Sequence, residues 1–261
     1  MIPLPPWTTV AAVTLVVLVA GATNGIAGFG FAVVGTMALA TMTDPTTAVV
    51  FMIVPILAVN VSLVRDLSRQ ELRSCSQRFA PLVAAALIGT VVGMAVLDRV
   101  PEAPLRVGLG LLTLGFVATA QRRVPLSVPL ALWDGGFGKS RLGMLGVGGV
   151  SGVLFGGTNV GVQLIAYLRS FDLSHGVFVG VVAMVFLGLN GIRVAIAGAF
   201  GLYSSSAVLA ASVGAAVPAV VGVAIGKRFR ASVSERARRI AVLGLLTVIG
   251  FRLVAGGLGI A

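Results

Sequence analysis

Long apolar stretches separated by short polar ones run the length of the chain, at about 8–41, 46–64, 79–97, 105–120, 142–168, 174–200, 206–226 and 240–259. A helix needs roughly 20 apolar residues to cross a hydrocarbon core of about 30 Å, so each stretch predicts a membrane segment. Boundaries fall at Asp44-Pro45, at Pro101 and Pro104, and in the cluster from Tyr203 to Ser206. The pattern predicts an all-α integral membrane protein of eight segments, or up to ten helices if the two longest stretches are each broken in two.

Those two stretches carry related glycine-rich turns, GATNGIAGFGFAVVG from Gly21 and GGVSGVLFGGTNVGVQL from Gly148. Laid one on the other, the copies put Gly21 on Gly148, Gly25 on Gly152 and Gly30 on Gly157. Further on, TVVGMAV at Thr90 matches AVVGVAI at Ala219, and GLLTL at Gly110 matches GLLTV at Gly244. Trp7 and Trp133 each precede the long stretch of one half, where interfacial tryptophans belong. These matches predict two repeats of four segments, 1–120 and 142–261, joined by the basic linker 121–141.

Loop charge predicts how the halves are oriented. In the first half the segment 65–78 is basic while 98–104 is near neutral; in the second, 201–205 is uncharged while 227–239 carries six cations. Basic loops stay cytoplasmic, so equivalent loops face opposite sides, as in an inverted repeat. An odd number of crossings must then lie between the inner linker and the outer loop 201–205. Counting 142–168 and 174–200 as one crossing each fails, and a hairpin folded at the glycines resolves the conflict. The same holds for 8–41, which as one helix would be about 50 Å long. The expectation is a pair of hairpins with short arms of roughly 20 Å, tips meeting at mid-membrane, and both termini outside.

Composition agrees with a membrane protein: 57% of residues are hydrophobic, 10% are charged, and mean hydropathy is +1.07. Soluble domains carry about 25% charged residues, and 261 residues leave no room for a separate soluble domain. The net charge of +11 does not predict a nucleic-acid partner, because 14 of the 19 cations lie in the three segments 65–78, 121–141 and 227–239. The bilayer is the partner this charge serves. A homodimer is compatible with the sequence but not written in it. The single cysteine, Cys75, allows no intramolecular disulfide. Ala20-Gly21-Ala22 resembles a signal-peptide cleavage site, yet no Lys or Arg precedes Arg65, so the segment is expected to stay in the mature protein.

A helix starting inside the membrane offers unpaired backbone N–H groups and about half a positive charge, which together suit a small anion. The expected substrate-binding residues are Asn24, Gly25, Gly28, Phe29 and Gly30 in the first turn, with Phe155, Gly156, Gly157, Thr158 and Asn159 in the second. Gln163 lies just beyond the second turn, and Asn60 and Asn190 occupy matching segments. Arg193 and Arg252 are costly in lipid and count as functional candidates, although Arg193 is close enough to the outer end to snorkel. The alternative is that the glycines only pack helices, as expected for Gly35 and Gly93. All eight acids lie in loops or at segment ends, so no proton relay, sodium site, metal site or cofactor is expected. Gly149-Val150-Ser151-Gly152 has the GxSG form of an intramembrane protease, but His175, the only histidine, comes too early in its segment. A channel-like or structural protein is the broader alternative, and no enzyme is expected.

The two turns resemble those of the sulfite exporter TauE/SafE family, roughly G-x-x-(S/A)-G-x-x-G-x-G-G at the start of each four-span half. Gly21, Gly25, Gly28 and Gly30 match in the first copy, and Ser151, Gly152, Gly156 and Gly157 in the second. The chain departs from the pattern at Phe155, Phe31 and Thr158. The resemblance implies a transporter in the inner membrane of a bacterium that exports a small sulfur anion such as sulfite or an organosulfonate.

Overall fold

A computed structural model describes residues 6–27, 30–64, 69–97, 99–120, 140–169, 171, 173, 175–229, 232 and 234–260. Gly28, Phe29 and the linker from 121 to 139 lie outside the described residues. The helices are α1 (Pro6–Ala27), α2 (Phe31–Ala40), α3 (Pro45–Phe51), α4 (Ile53–Val64), α5 (Arg69–Leu97), α6 (Glu102–Ala120), α7 (Arg141–Thr158), α8 (Val162–Arg169), α9 (His175–Ala199), α10 (Ser206–Phe229) and α11 (Glu235–Gly257). No strand occurs among the described residues. Among the described residues six stretches are long and apolar enough to span a bilayer: Trp7–Ile26, Pro45–Ser62 (which takes in α3 and α4), Gln77–Leu97, Val181–Ala199, Ser206–Phe229 and Ile240–Gly257. The protein is an all-α integral membrane protein.

The chain forms two compact units, and they interleave the sequence halves. The first comprises Met1–Val59, Glu102–Leu114 and Tyr203–Ala261; the second comprises Asn60–Pro101 and Gly115–Leu202.

In the first unit α1 packs on α10 through glycine. A Cβ on Gly21 would fall 2.5 Å from the Ala219 carbonyl oxygen and 3.1 Å from the Cα of Gly222. One on Gly25 would fall 2.7 Å from the Lys227 nitrogen and 2.8 Å from the Cα of Gly226. Only residues without side chains let two backbones come this close, which is how helices associate where no hydrophobic gain separates protein from lipid. The helix α2 folds back along α1, with Gly35 lying 3.5 Å from the Ala20 methyl by the same measure and against the side chain of Met52.

A proline breaks the next segment. Pro55 has no N–H, so the Phe51 carbonyl loses its helical partner four residues on, and the chain divides at Met52 into α3 and α4. The Ser212 hydroxyl of α10 donates to that carbonyl at 2.6 Å. Asp44 caps α3 by accepting from the Thr47 N–H at 2.7 Å. Arg106 of α6 donates to the Thr43 carbonyl at 3.0 Å and pairs with Glu102 at 2.7 Å, fixing the turn before α3 to the start of α6.

The second unit repeats the glycine contact between α7 and α5. A Cβ on Gly152 would fall 2.8 Å from the Cα of Ala86, and one on Gly156 would fall 3.0 Å from the Cα of Thr90. From the other side, Cβ atoms on Gly89 and Gly93 would fall 2.9 Å from the Val153 nitrogen and 3.1 Å from the Cα of Gly156. The Thr90 hydroxyl donates across the seam to the Gly152 carbonyl at 3.3 Å. The chain then returns through α8, so that Phe171 packs edge-on against Phe79 at 5.2 Å, near the start of the α5 span. Thus α7 and α8 leave and re-enter at one end of α5.

The two contacts correspond glycine for glycine. Gly21 and Gly25 play the parts of Gly152 and Gly156, while Gly89 and Gly93 play those of Gly222 and Gly226. The register read from the sequence, which pairs Gly25 with Gly152, is therefore displaced by one helical turn. A slip of one turn keeps the same helix face, so glycine spacing alone does not tell the two registers apart.

Candidate functional site

The expectation of short, equal arms is corrected. With 22 residues α1 is about 33 Å long and with 18 residues α7 is about 27 Å, whereas α2 and α8, of 10 and 8 residues, span about 15 and 12 Å. Each long arm runs nearly the whole length of its partner. Gly25 lies level with Lys227 in the basic last turn of α10, and Gly156 with Thr90 and Gly93, close to the end of α5. Within its unit, each tip thus stands toward the far end of the neighbouring helix and not at its middle.

The backbone donors at the tips are also not bare. In the first unit Gly30 holds φ 102 and opens α2, and the Phe31 N–H reaches back to the Asn24 Oδ1 at 3.4 Å. Asn24 is buried, so its amide caps α2 from the last turns of α1. In the second unit Thr158 donates to the Leu154 carbonyl at 2.5 Å and accepts from the Val160 N–H at 3.1 Å. Both turns consume donors expected for an anion. The cause is local: Asn and Thr side chains satisfy neighbouring backbone groups wherever a helix is interrupted.

What the second turn offers instead is a cation. Arg193 of α9 has no exposed surface, and it is the charged side chain among the buried described residues. It does not snorkel to the outer end. Its Nη1 donates to Asn159 Oδ1 and, at 3.2 Å, to Asn190 Oδ1; its Nη2 donates to the Gly156 carbonyl at 3.3 Å. Asn190, one turn before Arg193 on the same face, anchors its own amide on the Phe186 carbonyl at 2.8 Å. The guanidinium lies over the Phe155 ring at 4.9 Å, and Phe155 meets Phe186 at 4.9 Å between centroids. Gly161 gives the room for this pair, since a Cβ there would strike the Phe186 ring. The guanidinium thus carries its charge into a fully buried position. Helix ends with exposed carbonyls favour such a cation, because the macrodipole is negative there.

The structure therefore gathers Phe155, Gly156, Asn159, Asn190 and Arg193 into one cluster. Gly157 sits beside it uncrowded, a Cβ there meeting only the Gly93 carbonyl oxygen at 3.4 Å. Gln163 follows on α8 with its Oε1 buried and without a hydrogen-bond partner. Five candidates belong to other elements: Asn24 and Gly30 form the α1–α2 turn, Gly25 is absorbed in the α1–α10 contact, Asn60 is buried in α4, and Arg252 is exposed on α11. Gly35 and Gly93 pack helices, as expected. Ser151 is buried inside α7, while the side chain of His175 lies outside the described residues. Sequence reasoning missed Phe186, Thr90 and Ser212. The last was accessible, because a proline at 55 orphans a carbonyl that must find a donor.

The spanning helices define a polytopic membrane protein. The chain belongs to the sulfite exporter TauE/SafE family, whose model matches residues 13–253. No curated protein matches it, and no solved structure does.

Proposed function

We propose that this chain exports a small sulfur-containing anion, sulfite or an organosulfonate, from a bacterial cytoplasm across the inner membrane. Arg193 supplies the charge that attracts it. The observation that carries this is the arginine itself, fully buried beside the turn after α7 and hydrogen-bonded to Asn159, Asn190 and the Gly156 carbonyl. A buried charge in such a place is expensive, and an anion that binds it offsets part of the cost. Phe155 covers one face of the guanidinium, with Phe186 packed behind it, and the pair favours a compact anion. One tip is enough for this proposal.

Efflux of an anion from a negative cytoplasm is downhill by about 2.3 kcal/mol per charge per 100 mV, so a uniporter needs no coupled ion. The crowding of Gly25 and Gly156 supports the alternative view that the glycines serve packing, but packing does not account for Arg193. The test is flux in proteoliposomes with a panel of sulfur anions, with and without imposed voltage. Saturable sulfite or sulfonate flux that rises with voltage is expected. Flux that collapses with the pH gradient at constant voltage overturns uniport, and an absence of flux for every anion overturns the proposal.

A further inference from the structure

We propose that Asn159 is a positioning residue: its side-chain oxygen fixes the Arg193 guanidinium in one orientation against the end of α7, and the anion meets that preset charge. This rests on the anion-site proposal above. Asn159 is the non-glycine residue with positive φ among the described residues, at φ 60 and ψ 8, in the left-handed C-cap of α7. Glycine fits that conformation without cost, and this chain uses glycine 35 times, twice in the three residues before position 159. An asparagine held there, fully buried, does something that glycine does not. What it adds is Oδ1, which accepts from Arg193 Nη1 while the Asn159 N–H is occupied by the Phe155 carbonyl at 3.0 Å. The other restraints on the guanidinium come from α9 and from α7 itself: Asn190 at 3.2 Å, the Gly156 carbonyl at 3.3 Å, and the Phe155 ring below. Asn159 ties the charge to the turn. A long cation held in advance loses less freedom when it binds, so affinity is higher.

The experiment compares full-length wild type with Asn159→Gly, Asn159→Asp and Arg193→Gln in proteoliposomes, with sulfite as the probe and unfolding temperature in detergent as the control. Asn159→Gly keeps the backbone conformation and removes the oxygen. A guanidinium released from its restraint must be ordered when the anion binds, so KM for sulfite should rise about tenfold with the maximal rate near wild type, in a protein that still folds. Asn159→Asp sets a carboxylate on Arg193, and the neutralised pair should carry no saturable flux in a protein at least as stable as wild type. An unchanged KM in Asn159→Gly alongside lost flux in Arg193→Gln overturns the positioning role and leaves the anion site standing. Wild-type flux in both Arg193→Gln and Asn159→Asp overturns the site itself. Should Asn159→Gly fail to fold, Asn159→Asp decides: normal sulfite flux with a carboxylate on the guanidinium contradicts the proposal.

Discussion

Gly93 of α5 lies against Gly156 of α7 so closely that a Cβ on Gly93 would fall 3.1 Å from the Gly156 Cα. Gly226 and Gly25 make the same approach, with a Cβ on Gly25 falling 2.8 Å from the Gly226 Cα. Backbone blocks both positions, so no side chain is available to move aside. Gly156→Ala and Gly25→Ala should each lower stability by about 1–3 kcal/mol, the usual cost of overpacking. Gly157→Ala, with nothing nearer than 3.4 Å, should stay close to wild type. Thermal unfolding in detergent separates the cases, and equal melting of Gly156→Ala and Gly157→Ala would contradict the packing role.

The bond from Ser212 to the Phe51 carbonyl carries a second prediction. Ser212→Ala leaves a buried carbonyl without a donor and should cost about 1–3 kcal/mol. Pro55→Ala restores an N–H four residues after Phe51, so the serine deletion should cost less in that background. A double-mutant cycle measures the coupling. Additive losses would show that the hydroxyl is not replacing the donor that proline removed.

Sidedness follows from loop charge. Cys75, the sole cysteine, falls in the basic segment 65–78, which the positive-inside rule keeps cytoplasmic. A membrane-impermeant thiol reagent should label inside-out vesicles and leave right-side-out vesicles unlabelled. In a Cys75→Ser background, Ser204→Cys should show the opposite pattern. Labelling of Cys75 from outside would reverse the proposed orientation and put the termini in the cytoplasm.

Six of the eight segments were legible because lipid imposes one simple rule, about 20 apolar residues per crossing, and six stretches between Trp7 and Gly257 meet it. Loop charge led to the expectation that the chain turns back after the second glycine turn, and within its unit α8 does bring Phe171 back to Phe79 of α5. What sequence does not display is who touches whom. Gly25 and Gly156 stood out as small residues, but nothing local says that Gly226 and Gly93 fill the space beside them. The unequal arms were hidden because α1 continues as helix through Gly21 and Gly25, whose packing compensates for poor helix propensity. For Arg193 the residue type was visible, and so was Asn190 one turn away on the same face, but its full burial was not. Its burial depended on Asn159 and Gly156, far earlier in the chain, which only the fold brings within reach.

The central claim is that the buried Arg193 guanidinium binds the anion. Anything that binds the native state alone raises its stability, so sulfite at many times its Kd should raise the unfolding temperature of wild type. The decisive measurement is that shift in Arg193→Gln beside Arg193→Lys. The account predicts no sulfite-dependent shift in Arg193→Gln and a reduced one in Arg193→Lys, which keeps the charge but loses the planar fork. A shift in Arg193→Gln equal to that of wild type would contradict it.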